Sequence, residues 1–368
     1  MENGWAVRSL EQLSGARLVP VPLLRAPVSV VMAALSGSVV FIVSACGSRD
    51  AASPDAWTEA PALPVARFEA YAAVARGRVY FLGGITGVFG DIRTARPSRR
   101  VDVFDPIAHA WTVGPELPED APKHHLAVTV WNDAIYVVGG FDGILGQRPS
   151  EPFRPIALAY VLETTDPTQT TSAAWRKLAA PPLARGAATA QAIDGRIYVT
   201  GGAPNEGEAA FGELDVYDVA SDTWTTAASM PTPREHLASC AIAGRMIVVG
   251  GWKDAPKTAQ AVAEQYDPRS DRWTALPPMA TARGGLAATA IGSSCHVVGG
   301  EDWALPMPGT FPAHEVLETS TAAWASGVPM PTARHGLGLA LVSGVLYAIG
   351  GGPSQGNSYT AVVEALVP

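Results

Sequence analysis

Six basic residues recur at one place in a repeating pattern: Arg67, Lys123, Arg185, Arg234, Arg283 and Arg334. A guanidinium grips a carboxylate through two parallel hydrogen bonds, so a ring of such groups would focus positive potential and favour acidic ligands. The other reading is scaffolding, since a residue present in every unit serves the unit itself. Imidazoles break the pattern. His124 and His125 follow Lys123, His236 lies two after Arg234, and His335 follows Arg334, with Glu69 and Glu235 close by. Such groups ligate metals or move protons. Side chains alternate along a strand, and His124 and His335 share one offset while His125 and His236 share the next. The expectation is therefore a polar cavity mouth, with no metal and no other cofactor. Aromatic residues in variable segments (Phe89, Phe141, Phe153, Phe211, Trp252, Trp303, Phe311) suit stacking on sugars or anchoring a protein partner, or else plug small cores beneath their loops. Glu301 sits among them. No phosphate-binding glycine loop, nucleophile elbow, HExxH or CxxC pattern occurs.

The elements that position these residues are short strands. Each basic residue stands 16 residues before the first glycine of a Gly-Gly pair: Gly83-Gly84, Gly139-Gly140, Gly201-Gly202, Gly250-Gly251, Gly299-Gly300 and Gly350-Gly351. A run of small residues follows the basic residue, then a turn such as Asp194-Gly195, then an apolar strand ending at the glycines. A variable loop leads to a third strand carrying Asp102, Tyr160, Asp215, Glu264, Glu315 or Glu364, the acids read as scaffolding. A fourth strand carries Trp111, Trp175, Trp224, Trp273 or Trp324. Six four-stranded units at this period predict an all-β, six-bladed β-propeller. The sixth unit lacks its tryptophan strand at the C-terminus, while Trp57 precedes the first unit. Residues 55–61 are therefore expected to complete the last blade and close the ring. The segments after the glycine pairs vary in length, being longest at 85–99, 141–157 and 301–313, and repeat folds gather such variation on one binding face.

With 37 Gly and 31 Pro, turns are frequent, and a net charge of −8 argues against a nucleic-acid partner. Arg8, Arg17 and Arg25 precede an uncharged apolar run from Ala26 to Ala45, and Val43-Ser44-Ala45 leads into Cys46. A basic segment, an apolar segment and small residues before a cleavage point form an export signal. Domain bounds follow as 1–45 for the signal, 46–54 for a tether and 55–368 for the propeller. An uncleaved anchor is the other reading, since about 20 apolar residues can span a bilayer. An exported compartment allows Cys240 and Cys295 to pair, but they sit at different offsets in their units, which favours two buried thiols.

The double glycines, the spaced tryptophans, the Tyr-Asp-Pro-like third strand and Met330-Pro331-Thr332-Ala333-Arg334-His335-Gly336 resemble the Kelch repeat over residues 55–368. Val43-Ser44-Ala45-Cys46 resembles the lipobox of bacterial lipoproteins, which implies lipid attached at Cys46 and a location at the membrane, periplasmic or on the cell surface. The Kelch resemblance implies a monomeric binding module for a protein or glycan, with arginines of the channel mouth contacting acidic ligands. It also offers an enzymatic alternative, a periplasmic sialic-acid epimerase or mutarotase. That family's loop with both Glu and Arg is missing here, Glu301 being the nearest feature. Kelch-domain copper radical oxidases need a cysteine beside a tyrosine, which Cys240 and Cys295 do not supply.

Overall fold

Each unit of the repeat builds the same antiparallel sheet of four strands in a computed structural model. It describes residues 29–35, 38–44, 56–88, 91–143, 153–164, 174–205, 208–253 and 258–368. The third blade shows the plan: Gly186–Ile193, Arg196–Ala203, Leu214–Asp218 and Thr223–Ala227 pair in chain order from the channel outwards. Blade one runs Tyr71–Ala75, Arg78–Leu82, Val101–Asp105 and Ala110–Val113. Six such sheets make an all-β propeller, and the described residues contain no helix. In the sixth blade Val363–Leu366 pairs with Thr58–Glu59, so the N-terminal strand closes the ring as expected.

Position in the blade dictates strand chemistry. Second strands such as Arg245–Val249 are covered on both faces by neighbouring blades and are buried almost throughout. Outer strands such as Thr223–Ala227 keep mostly exposed side chains. The core is divided among the blade interfaces. Tyr80, Leu82 and Val103 of blade one pack on Ile135, Val137 and Leu162 of blade two, and equivalent clusters fill the other five junctions. Each blade tryptophan reaches across a junction to a backbone carbonyl, as when Trp224 Nε1 donates to Ala179 O at 2.8 Å. Trp57 does the same across the closure, donating to Val328 O at 2.8 Å.

The glycine pairs are joints between blades. Gly250 and Gly251 both have positive φ. A side chain on Gly250 would come within 2.8 Å of the Arg283 carbonyl of the next blade, and Gly251 N donates to that carbonyl at 2.9 Å. All six pairs repeat this contact with the following basic residue.

Cys240 on the innermost strand of blade four and Cys295 on the second strand of blade five form a disulfide. This corrects the expectation of two separate thiols. The innermost strand of blade four contacts both the innermost and the second strand of blade five, so residues at different offsets meet.

The chain divides into Met1–Ala51 and Ala52–Pro368. Within the first unit, Ser29–Leu35 and Ser38–Ser44 form an antiparallel pair. No helix of the described residues is long and apolar enough to cross a membrane. Cys46, the tether 46–54 and Phe89 lie outside the described residues.

Candidate functional site at the channel mouth

The five arginines do not ring the mouth. Arg67, Arg234, Arg283 and Arg334 have no exposed surface, and Arg185 is 2% exposed. Each forms an ion pair with the acid of its own third strand: Arg67 with Asp102, Arg185 with Asp215, Arg234 with Glu264, Arg283 with Glu315 and Arg334 with Glu364. Spare guanidinium protons go to backbone carbonyls, as when Arg234 Nε donates to Gly250 O at 2.8 Å. Burial lowers the arginine pKa values, and at Asp215 it raises the carboxyl. A carboxylate ligand has no access to these groups, so the expected arginine ring at the mouth is corrected to a set of buried clamps. Lys123 is the exception that fits the rule. Its blade has Tyr160 in place of the acid, and Lys123 Nζ turns instead to Asp142 at 3.1 Å.

One residue beyond each basic position, the chain bridges to the residue after the Gly-Gly pair of its own blade. The bridges are Phe68 to Ile85, His124 to Phe141, Gly186 to Ala203, Glu235 to Trp252, Gly284 to Glu301 and His335 to Gly352. The long loops and the basic crossovers therefore share one face. Phe141 and Trp252 are buried here, not exposed as anchors. A side chain on Gly186 would strike the Phe141 ring at 2.4 Å, and one on Gly284 would strike Trp252 at 2.5 Å. Each aromatic fills the place that a glycine leaves in the next blade. Phe153 stacks on Phe141 with ring centroids 5.3 Å apart. Trp303 differs, being 48% exposed.

Two residues beyond each basic position lies a column of Glu69, His125, Ala187, His236, Gly285 and Gly336. All six have φ between 49° and 64°. Their backbones form a closed ring of hydrogen bonds around the channel. Glu69 N donates to Gly336 O, His125 N to Glu69 O, Ala187 N to His125 O, His236 N to Ala187 O, Gly285 N to His236 O, and Gly336 N to Gly285 O, at 2.7–3.4 Å. Left-handed backbone turns these side chains over the mouth and away from the strand alternation assumed from sequence.

The side chains of that column meet. The His125 and His236 rings stand edge to face at 4.8 Å, with Ala187 between them in the backbone ring. His125 Nε2 lies 3.6 Å from Glu69 Oε2, and Tyr71 Oη donates to the same oxygen at 3.0 Å. Potential ligand atoms of Glu69, His125 and His236 all lie within 4.8 Å of one another. The sequence reading, which favoured polar lining over a metal site, did not anticipate this convergence.

His124 and His335, the other two histidines of the mouth, are each held by a loop carbonyl. His124 is fully buried, and burial lowers it to about 4, so its ring is neutral. Its Nε2 donates to Gly143 O at 2.9 Å, which leaves Nδ1 to accept from His125 Nδ1 at 2.6 Å. His335 Nδ1 donates to Gly352 O at 3.1 Å and directs Nε2 towards Glu301, 3.7 Å away. Glu301 also accepts from Trp303 Nε1 at 3.2 Å. Above the ring lies a cavity of about 90 Å³, bounded by Phe68, Phe153, Trp252, Glu301, Trp303 and His335 as well as the cluster. No arginine or lysine among the described residues lines it.

Glu69, His125 and Phe153 stand among the candidate residues of the sequence, but their meeting with His236 is not evident from one unit alone. The signal was present as the column two after each basic residue, read down six units instead of along one.

Residues 154–300 match the profile of the KLHDC2/KLHL20/DRC7 Kelch-repeats domain. The Kelch-like protein terF of Aspergillus terreus is 37% identical over 84 residues, covering 23% of this chain and 18% of that protein. The spermatocyte protein spe-26 of Caenorhabditis elegans is 38% identical over 81 residues, 22% of this chain and 14% of its own length. The human Kelch repeat and BTB domain-containing protein 12 is 27% identical over 172 residues, 44% of this chain and 26% of its own. The chain thus spans about a quarter or less of each relative. Kelch propellers generally serve as protein-interaction modules; six four-stranded blades and their glycine joints make this chain a six-bladed β-propeller, of which residues 154–300 match a Kelch-repeats profile.

Proposed function

We propose that this chain is an exported, membrane-tethered binding module that holds a protein ligand on its Gly-Gly loop face. The observation that carries this reading is an apolar group presented by a fixed loop. Trp303, Leu305 and Met307 are 48%, 43% and 66% exposed beside the mouth. Gln355 Nε2 donates to Asp302 O at 2.7 Å and to Leu305 O at 3.2 Å, and Thr310 Oγ1 donates to Pro353 O at 3.0 Å. A loop already held in place loses little freedom on binding, and Trp and Met are enriched at interface cores. Export is supported by the signal-like segment ending at Cys46 and by the Cys240–Cys295 disulfide, which suits an oxidising compartment.

The mutarotase alternative relied on arginines to hold a sugar carboxylate. With those groups buried in ion pairs, no observation favours it.

The test is affinity capture from envelope extracts, with a Trp303→Ser, Leu305→Ser, Met307→Ser variant as control. A protein retained by the wild type and lost by the variant supports the reading. Equal retention by both refutes it, and binding confined to a glycan array moves the ligand to carbohydrate. Globomycin-sensitive processing tests lipidation at Cys46, and monodisperse light scattering tests the monomer.

A further inference from the structure

We propose that Glu69, His125 and His236 bind a divalent transition-metal ion of the zinc class at the channel mouth. Two imidazoles and one carboxylate are ligands of catalytic or exchangeable zinc sites, which keep a position open to solvent or substrate. Three independent features of the site point the same way.

The first is the backbone. Glu69, His125 and His236 hold φ values of 49°, 53° and 53°. The same ring accepts glycine in blades five and six, where that conformation costs nothing, and alanine in blade three. The scaffold therefore has no need of side chains at these three places. Non-glycine residues held left-handed cost about 1–3 kcal/mol each, and such strain collects at functional sites.

The second is the tautomer of His125. His124 donates from Nε2 to Gly143 O and accepts at Nδ1. The Nδ1 of His125 is thus engaged with His124, and Nε2 is the nitrogen that faces Glu69 at 3.6 Å. A histidine whose outer nitrogen donates to a neighbour, with the inner one presented to the ion, is the usual arrangement around bound metals. Tyr71 Oη does the equivalent service for Glu69.

The third is space. Zinc–ligand bonds of about 2.0–2.2 Å put neighbouring ligand atoms about 3.4 Å apart. The present spread is no more than 4.8 Å, so the ligand atoms stand within about 1.4 Å of that spacing. The small residues Gly285 and Gly336 occupy the other half of the ring, and a side chain on Gly336 would come within 2.6 Å of Glu69 Oε1. The remaining coordination positions open into the cavity beneath Trp303, where water or a ligand oxygen completes the shell.

The full chain, solubilised in mild detergent and stripped with chelator, is titrated with Zn²⁺ by calorimetry. One equivalent is expected, and His125→Ala together with His236→Ala should weaken it by about 100-fold or more. Both substitutions reproduce the alanine that blade three already carries at this position. Glu69→Gln should weaken binding while keeping the shape of the site. His109→Gln, an exposed histidine elsewhere, should change nothing. Co²⁺ supplies a second readout: intense visible d–d absorption marks four or five ligands, and a weak spectrum marks hydrated, octahedral ion. Absence of stoichiometric binding by the wild type, or equal binding by the double-alanine variant, overturns the proposal. If that variant unfolds by circular dichroism, a weak octahedral Co²⁺ spectrum in the wild type overturns it equally.

Discussion

Removing the acid from one buried clamp should unfold the protein more easily, without reference to any ligand. Take Glu264→Leu. The Arg234 guanidinium would remain with no exposed surface and without its counter-charge. Its bonds to Gly250 O, Thr232 O and Val248 O would persist, and Thr232 Oγ1 would lose the carboxylate it now donates to. Stranding one member of a buried ion pair costs about 3–5 kcal/mol. For the unit Ala52–Pro368 this lowers the melting temperature by about 5–8 °C, taking about 2.1 cal/mol/K of unfolding entropy per residue. Arg234→Leu should cost as much, because it orphans three carbonyls in addition to Glu264. The double variant should recover about 2–3 kcal/mol of the summed loss while staying below wild type, since the carbonyls remain unmet. Urea unfolding of the four proteins gives the cycle. A Glu264→Leu protein that melts like wild type but loses its ligand would refute the reasoning and return the arginines to the mouth.

Three further outcomes follow from the same structure. Trp57→Ala removes a buried ring and its bond to Val328 O at the closure, so it should cost about 3–5 kcal/mol; deleting residues 55–61 should cost more, and an unchanged melt in that truncation would show the ring closing some other way. Reducing Cys240–Cys295 releases a loop with a sequence separation of 55, for which chain entropy gives about 4 kcal/mol, read as a lower urea midpoint in dithiothreitol that Cys240→Ser no longer shows. Burial lowers His296 to about 4 and also lowers its partner His314, 3.0 Å away. The unfolded chain then binds more protons between pH about 6.5 and about 4, so stability present above that window is lost as pH falls through it. His296→Gln should flatten this fall in urea midpoints; an equal fall would assign it to other groups.

The periodic residues were legible because each does one repeated job. Gly-Gly pairs, basic residues and tryptophans stand at nearly constant spacing, so six blades and the closure by Thr58–Glu59 could be counted from the chain. The partnership of arginine with third-strand acid was hidden by the loop between them, whose variable length puts Asp102 35 residues from Arg67 but Glu264 30 from Arg234. Burial of Phe141 and Trp252 was hidden for another reason. A loop aromatic reads as exposed until its counterpart is found, and here the counterparts are Gly186 and Gly284 in the following blade. The disulfide is not readable from offsets within a unit, because the innermost strand of blade four reaches the second strand of blade five as well as its first.

The mouth is where this fold can change chemistry at least structural cost. Ion pairs, glycine joints and tryptophan bonds fix the blades through buried groups, so substitution there is felt throughout the ring. The hydrogen-bonded column at the mouth is different, because its bonds are entirely backbone and are made equally by Glu, His, Ala and Gly. Six positions are thereby held about one axis by bonds in which no side chain takes part. The repeat spends three of them on alanine and glycine, and Gly336 leaves the room that the Glu69 carboxylate occupies. Chemical asymmetry on a symmetric frame needs both kinds of residue, those that project and those that make room. In this chain the division runs Glu69, His125 and His236 against Ala187, Gly285 and Gly336, and that division of large and small is the best reason to look for a bound ion there.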